Sequence, residues 1–180
     1  YYSELSDLEF GEMFAGGIAT AVKAYKTSGS EMASAISALG GTATSANVPL
    51  EEQLSVLGML QATMSGSEAA TKYKALLNAA TGAGEKLGLN FLDANNQLRS
   101  LPEILGILKG KYGDTIDAVE KKQIKEAFGS DEAVAVIDLL YGKTGELQTG
   151  ILDMYDALGG GSSAAQEMAT AINATESQKY

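Results

Sequence analysis

The side chains in this sequence that could catalyse a reaction are mainly carboxylates. Three pairs of acids stand close together along the chain: Glu51 with Glu52, Asp131 with Glu132, and Asp153 with Asp156. Two carboxyl groups can hydrolyse a glycosidic bond without any help from His or Cys. Nearly all of these acids, however, fall in first turns or on polar faces of predicted helices, where the helix dipole and solvent account for them. We therefore predict no catalytic residues.

Two other motifs match binding loops only in part. Gly142-Lys143-Thr144 resembles the end of a phosphate-binding loop, but Ile137 stands where that loop needs Gly, within a predicted helix. Asp93-Ala94-Asn95-Asn96-Gln97 begins like a calcium loop, but Leu98 and Ile104 stand where Gly and Glu are required. A helix–helix turn and an Asx turn explain the two motifs better. We predict no cofactor site and no metal site.

Composition excludes several classes of function. The 180 residues include no Cys and no His, which excludes disulfide scaffolds, His-ligated metals and Ser-His-Asp catalysis. The formal net charge of −10 disfavours binding to nucleic acid, and the lysines between positions 109 and 125 alternate with acids, as on a solvated helix face. No apolar run approaches the ~18 residues of a membrane span. The chain begins with Tyr1, so we expect it to be part of a longer protein.

The elements that would position these side chains are predicted to be helices almost throughout. Apolar residues recur at steps of three and four, and Gly, Pro and Ser mark the breaks between helices. Helices are expected over about 5–25, 31–39, 49–64, 67–80, from Ser100 onward, and over about 114–128, 130–141, 145–158 and 162–175. The fold class is therefore all-α, a compact bundle of about eight helices.

The segment 82–101 is the exception to this helical pattern. Gly82, Gly84 and Gly88 loosen the chain, and an Asx-rich turn follows the short apolar run that ends at Leu92. We predict a short irregular hairpin or loop near 89–99. For domain organisation, we expect one helical domain over 1–158, followed at 159–180 by a Gly/Ser hinge and a helix that leads into the parent chain.

Three stretches together carry a family resemblance. Leu50–Leu77 forms a helix, a Gly-Ser turn and a second helix. Leu87–Leu105 has a hydrophobic run, a turn and a Leu-Pro helix start, and Ile124–Ala133 contains an Ile-x-x-x-Phe-Gly junction. In this order the stretches resemble the shared domain of phage tail tape measure proteins of the lactococcal-phage and prophage type. The resemblance implies turn or packing roles for seven residues: Gly58, Gly66, Ser67, Asp93, Pro102, Phe128 and Gly129.

The resemblance implies a structural protein of the virion and no enzyme. The parent chain would lie in the lumen of the tail, set the length of the tail and support tube assembly and genome delivery. It would be made in the cytoplasm of a bacterial host, and its partners would be other copies of itself and tail tube or assembly proteins. Two alternatives remain: a peptidoglycan-degrading or wall-binding module of a phage tail protein, and a generic helical adaptor for protein interactions.

Overall fold

The computed structural model describes the backbone of residues 7–159, and the side chains of 15–158 apart from that of Thr44. The helices are α1 (Asp7–Tyr25), α2 (Gly29–Leu39), α3 (Thr42–Ser45), α4 (Leu50–Leu60), α5 (Gly66–Leu87), α6 (Leu101–Tyr112), α7 (Ala118–Phe128), α8 (Asp131–Leu140) and α9 (Thr144–Gly159). The hinge and C-terminal helix predicted at 159–180 lie outside the described residues from 160 onward.

The all-α class is confirmed, because 76% of the structure is helical and no strand forms among the described residues. The prediction of about eight helices does not match the structure. Between residues 7 and 159, seven helices have eleven residues or more, α8 has ten, α3 has only four, and Tyr141–Lys143 adds one turn of 3-10 helix. The short α3 was not predicted, since one helical turn is too brief to show an apolar period.

The central helix is α5, and α2, α7 and α8 pack along it. A second group of contacts joins α4 to both α9 and α1. One continuous core joins these contacts. Its largest fully buried side chains include Met32, Leu54, Leu57, Tyr73, Leu76, Leu105 and Ile124.

Helix α5 is longer than the sequence predicts. It passes through Gly82 and Gly84, where we expected the chain to loosen, and ends only at Gly88, whose φ of 70° gives a left-handed cap. Gly84 is buried, and a Cβ there would lie 3.0 Å from the Phe91 ring. This glycine therefore lets the segment after α5 fold back onto the helix, and the close packing offsets the weak helix propensity of glycine.

The segment between α5 and α6 is the irregular hairpin that we expected. A single antiparallel bridge joins Leu92 to Leu98, and the Arg99 N–H donates to the Phe91 carbonyl at 2.8 Å. Asp93 closes the turn. The hairpin therefore leads directly into Ser100, whose hydroxyl caps α6 by accepting the Glu103 N–H.

Candidate functional site

Two glutamates lie in the first turn of α4, as predicted, but both are buried, so solvent does not account for them. Glu51 is 1% exposed and Glu52 is 4% exposed. The Glu52 carboxylate accepts a hydrogen bond of 3.1 Å from the N–H of Leu101, the first residue of α6. Glu52 therefore acts on the positive end of a helix 49 residues away, in addition to standing in the first turn of its own helix.

Burial changes the chemistry of this carboxyl group. It raises the pKa of Glu52 to about 7, with smaller increases from the charges of Glu51 and Glu103, while the bond from Leu101 opposes the shift. The hydroxyl of Tyr73 on α5 is also buried and has no hydrogen-bond partner among the described residues, and its pKa is raised by burial and by Glu52. The Glu52 carboxyl is closed off from solvent and joins α4 to α6, so it is positioned to stabilise the fold and not to meet a polymeric substrate.

An open groove of about 820 Å³ lies between α1, α4 and α9, and we call it the α1–α4–α9 groove. Its walls combine small and apolar side chains with a few charges. The residues that define it are Thr20, Ala24, Tyr25 and Lys26 from α1 and its end, Gly58, Met59 and Ala62 from α4 and its end, and Lys143, Gly145, Glu146, Thr149, Gly150, Asp153 and Met154 from α9 and the turn before it.

Tyr25 forms the floor of this groove, between two glycines on different helices. A Cβ at Gly58 of α4 would overlap the Tyr25 ring, and a Cβ at Gly150 of α9 would overlap its hydroxyl. Burial raises the pKa of Tyr25, the charge of Asp153 raises it further, and the Ser55 hydroxyl opposes the shift. The two glycines therefore allow α1, α4 and α9 to converge on one aromatic ring.

Charges of both signs line the groove, which contains Lys26, Lys143, Glu146 and Asp153. Gly17 packs on Leu158 and Tyr25 on Gly150, so α1 and α9 run antiparallel. Lys26, at the end of α1, therefore lies toward Lys143, which precedes α9. Asp153 lies ten residues farther along than Lys143, at a distance of about 15 Å along a helix. Glu146 also lines the groove, three residues after Lys143, so acids and lysines alternate along the α9 wall.

Three of the residues singled out in the sequence belong to the first family-like stretch, Leu50–Leu77. Two of them, Gly58 and Gly66, lie where helices contact each other. Gly58 is the groove position just described. Gly66 is the first residue of α5, where a Cβ would overlap the backbone carbonyl of Glu31 in α2, and its N–H donates to the Glu31 carboxylate at 2.8 Å. Ser67 follows it and is exposed. The Gly-Ser turn thus marks where α5 meets α2.

The remaining singled-out residues lie along the hairpin and the α7–α8 junction. Asp93 Oδ1 accepts the N–H of Asn95 at 2.8 Å, and that of Gln97 at 3.0 Å, which is an Asx turn. Pro102 is buried in the first turn of α6. Phe128 is buried at the end of α7, and Gly129 ends that helix with a φ of 67°.

The structure brings the three family-like stretches into one core. The Glu52 carboxylate of the first binds the Leu101 N–H of the second, and the Phe91 ring of the second lies 6.4 Å from the Phe128 ring of the third. From the sequence, Phe128 was expected to pack and Glu52 was interpreted only as a first-turn acid, while Tyr25 and Gly150 were not singled out. Their roles depend on partners distant in the chain, and a buried Glu-Glu pair gives no local signal that separates it from an exposed one.

The lysine-rich stretch lies on α6 and α7, and much of its charge is engaged. Lys121 forms an ion pair of 3.1 Å with Asp138, and Lys125 one of 3.0 Å with Asp131. The Lys109 ammonium lies 5.5 Å from the centre of the Tyr141 ring. This face therefore helps to hold α7 against α8.

A family model described as phage-related minor tail protein matches residues 6–129, well over half of the chain. The chain belongs to this family. Family membership assigns it a structural role in a phage tail. Among curated proteins and solved structures, none matches the chain.

The family match begins just before α1 and ends at Gly129, so it contains Glu52, Tyr25 and all seven residues singled out above. Helices α8 and α9 follow the matched region, although α9 supplies one wall of the groove.

Within residues 7–159, no helix of this minor tail protein is long and apolar enough to cross a membrane. The same part of the chain holds no cluster of three or more acids, His or Cys that could bind a metal ion.

Proposed function

We propose that this chain is a folded module of a tail tape measure protein. The observation that carries the proposal is the family match over α1–α7, within which the three stretches that resemble tape measure proteins pack into one core. In this proposal the parent chain lies in the tail lumen, sets tail length, and contacts tail tube proteins and other copies of itself. It is assembled in the host cytoplasm and has no catalytic role.

The module itself has the wrong shape for a ruler. Its longest helix, α5, has 22 residues and spans about 33 Å. The other helices fold back against it, so adding residues to this part of the chain does not add proportionate length. We therefore assign length measurement to helices elsewhere in the parent chain, and an assembly role to this module.

Two of the three acid pairs give little support to a wall-degrading module. Glu51 and Glu52 are closed off from solvent, and Asp131 forms an ion pair with Lys125. A glycosidase needs two carboxyl groups that face one open cleft. The tail role is therefore the function that the geometry supports best.

In-frame deletions in the parent gene test the proposal, with tail length measured by electron microscopy. We expect deletion of the region encoding residues 7–159 to abolish or misassemble tails. Deletions of similar size in a helical region downstream are the matched control, and should shorten tails by about 1.5 Å per residue removed. Normal length and yield after both kinds of deletion would overturn the proposal.

A further inference from the structure

We propose that the hairpin between α5 and α6 (residues 89–100) is a pH-sensitive latch controlled by Glu52. The hairpin and the first turn of α6 stay closed on α4 and α5 while the Glu52 carboxyl holds its proton. They open more often when that proton is lost. This property goes beyond the proposed function, because it concerns the motion of one segment and can be measured on the purified chain.

Glu52 ties a firmly held helix to a lightly held segment. Helix α4 packs against α1, α2, α5 and α9. Its Glu52 carboxylate accepts the N–H of Leu101, which lies where the hairpin ends and α6 begins. Movement of the hairpin and the first turn of α6 would therefore bring water to Glu52 while α4 keeps its contacts with four other helices.

Few buried groups hold the hairpin closed. Phe91 is its only buried side chain, and the Phe91 ring packs on Gly84 of α5. One antiparallel bridge, between Leu92 and Leu98, joins the two arms of the hairpin. A segment with so few buried apolar contacts opens locally at a smaller cost in free energy than unfolding of the whole molecule.

The ionised form of Glu52 is costly in the closed state. The carboxyl is 4% exposed, and a buried charge needs an opposite charge to offset the loss of water. The titratable groups that interact with it instead carry or gain negative charge: Glu51 of α4, Tyr73 of α5 and Glu103 of α6. No lysine or arginine among the described residues acts on this carboxyl group.

Opening of the hairpin is therefore linked to loss of the proton. Burial outweighs the bond from Leu101, so the pKa of Glu52 is raised to about 7 in the closed state. Opening returns the carboxyl to water, where its pKa is near 4.5. The contribution of Glu52 to the closed state is therefore fully present below pH 4.5 and is lost as the pH rises through 7.

Amide hydrogen exchange of the full chain, measured by NMR and corrected for intrinsic exchange rates, tests the latch. The Leu101 N–H donates to Glu52 and the Arg99 N–H donates to the Phe91 carbonyl, so both report opening directly. We expect the opening constant at both amides to be about 70-fold larger at pH 8 than at pH 5. The amide of Leu76, within α5, should stay at least about tenfold better protected at both pH values.

The variant Glu52→Gln separates the latch from other effects of pH. Its amide can accept the Leu101 N–H but cannot ionise, so the ratio between the two pH values should fall to about 1. Glu146→Gln, at an exposed acid of α9, is the control and should keep the original ratio. The proposal is wrong if Leu101 is as well protected as Leu76, if its opening does not depend on pH, or if that dependence survives in Glu52→Gln.

A pair of glycine variants tests whether the hairpin is the part that moves. A Cβ at Gly84 would lie 3.0 Å from the Phe91 ring. Gly84→Ala should therefore push the hairpin away from α5 and raise the opening constant at Leu101 about tenfold at both pH values. Gly82 has open space around it, so Gly82→Ala should leave that constant unchanged. An unchanged constant in Gly84→Ala would overturn the latch. None of these results bears on the deletion experiment on tails, in which the whole module is removed.

Discussion

At the scale of single residues, the Glu52 carboxyl links folding to pH. Its pKa is near 4.5 in the unfolded chain and about 7 in the folded protein. The folded state therefore holds a proton that the unfolded chain has already released between these values. The contribution of the Glu52 carboxyl to the stability of the folded state is fully present below pH 4.5 and is lost as the pH rises through 7.

Replacing Glu52 by Gln removes this dependence, because the neutral amide can still accept the Leu101 N–H. We predict that Glu52→Gln raises the free energy of unfolding above that of the original chain. This increase should be about 2.5 kcal/mol larger at pH 8 than at pH 5. Urea denaturation at the two pH values measures this difference. Glu146→Gln, at an exposed acid of α9, is the control. A Glu52→Gln effect that is the same at both pH values would contradict the prediction.

The buried hydroxyl of Tyr73 should cost stability, because it has no hydrogen-bond partner in the part of the chain that the structure describes. Tyr73→Phe keeps the ring and removes that unpaired group, so we predict a free energy of unfolding that is unchanged or up to about 1 kcal/mol higher. Tyr141→Phe is the matched variant, since the Tyr141 hydroxyl donates to the Gly113 carbonyl, and it should lower stability by about 1 kcal/mol. Thermal denaturation of both variants checks this order, and the reverse order would show that Tyr73 has a partner.

At the scale of helices, two glycines of α5 should respond in opposite ways to replacement by alanine. A methyl group at Gly66 would overlap the Glu31 backbone and push α2 away from α5, whereas Gly82 has open space around it. We predict that Gly66→Ala lowers the free energy of unfolding by about 2 kcal/mol. Gly82→Ala should raise it by about 0.5–1 kcal/mol, because alanine favours helix. Urea denaturation of the two variants measures both values, and equal effects would show that the α2–α5 contact can relax.

Much of the helical pattern could be predicted because its signals are local. The serine before α6 and the proline in its first turn, for example, lie within four residues of the helix start they define. Glu52 and Gly66 could not be interpreted in the same way. Their neighbours are Leu101 and Glu31, and only the packing of distant helices brings these residues together. The charged groove was missed for the same reason, since it is formed by three separate helices.

At the scale of the whole molecule, the folded unit extends beyond the family match. Helix α9 follows the matched region, yet Leu147, Met154 and Leu158 are buried in the common core. Burying three such side chains contributes about 1.5–3 kcal/mol each, which is comparable with the total stability of a small domain.

We therefore predict that a chain truncated after residue 130 fails to unfold cooperatively, whereas one truncated after residue 159 still unfolds cooperatively. The shorter chain exposes the faces of α1 and α4 that α9 covers. Urea denaturation followed by circular dichroism distinguishes the two. Cooperative unfolding of the shorter chain at the original midpoint would contradict this view of the domain.

The antiparallel contact between α1 and α9 has a mechanical consequence. The chain enters the module at the start of α1 and leaves it at the end of α9, and these two ends lie on the same side. A pulling force on the flanking chain would separate the two helices one turn at a time, beginning where Leu158 covers Gly17, and would not load all their contacts at once. Each residue released would lengthen the chain by up to about 3.5 Å. The module would therefore yield early under tension and act as a reserve of extensible chain.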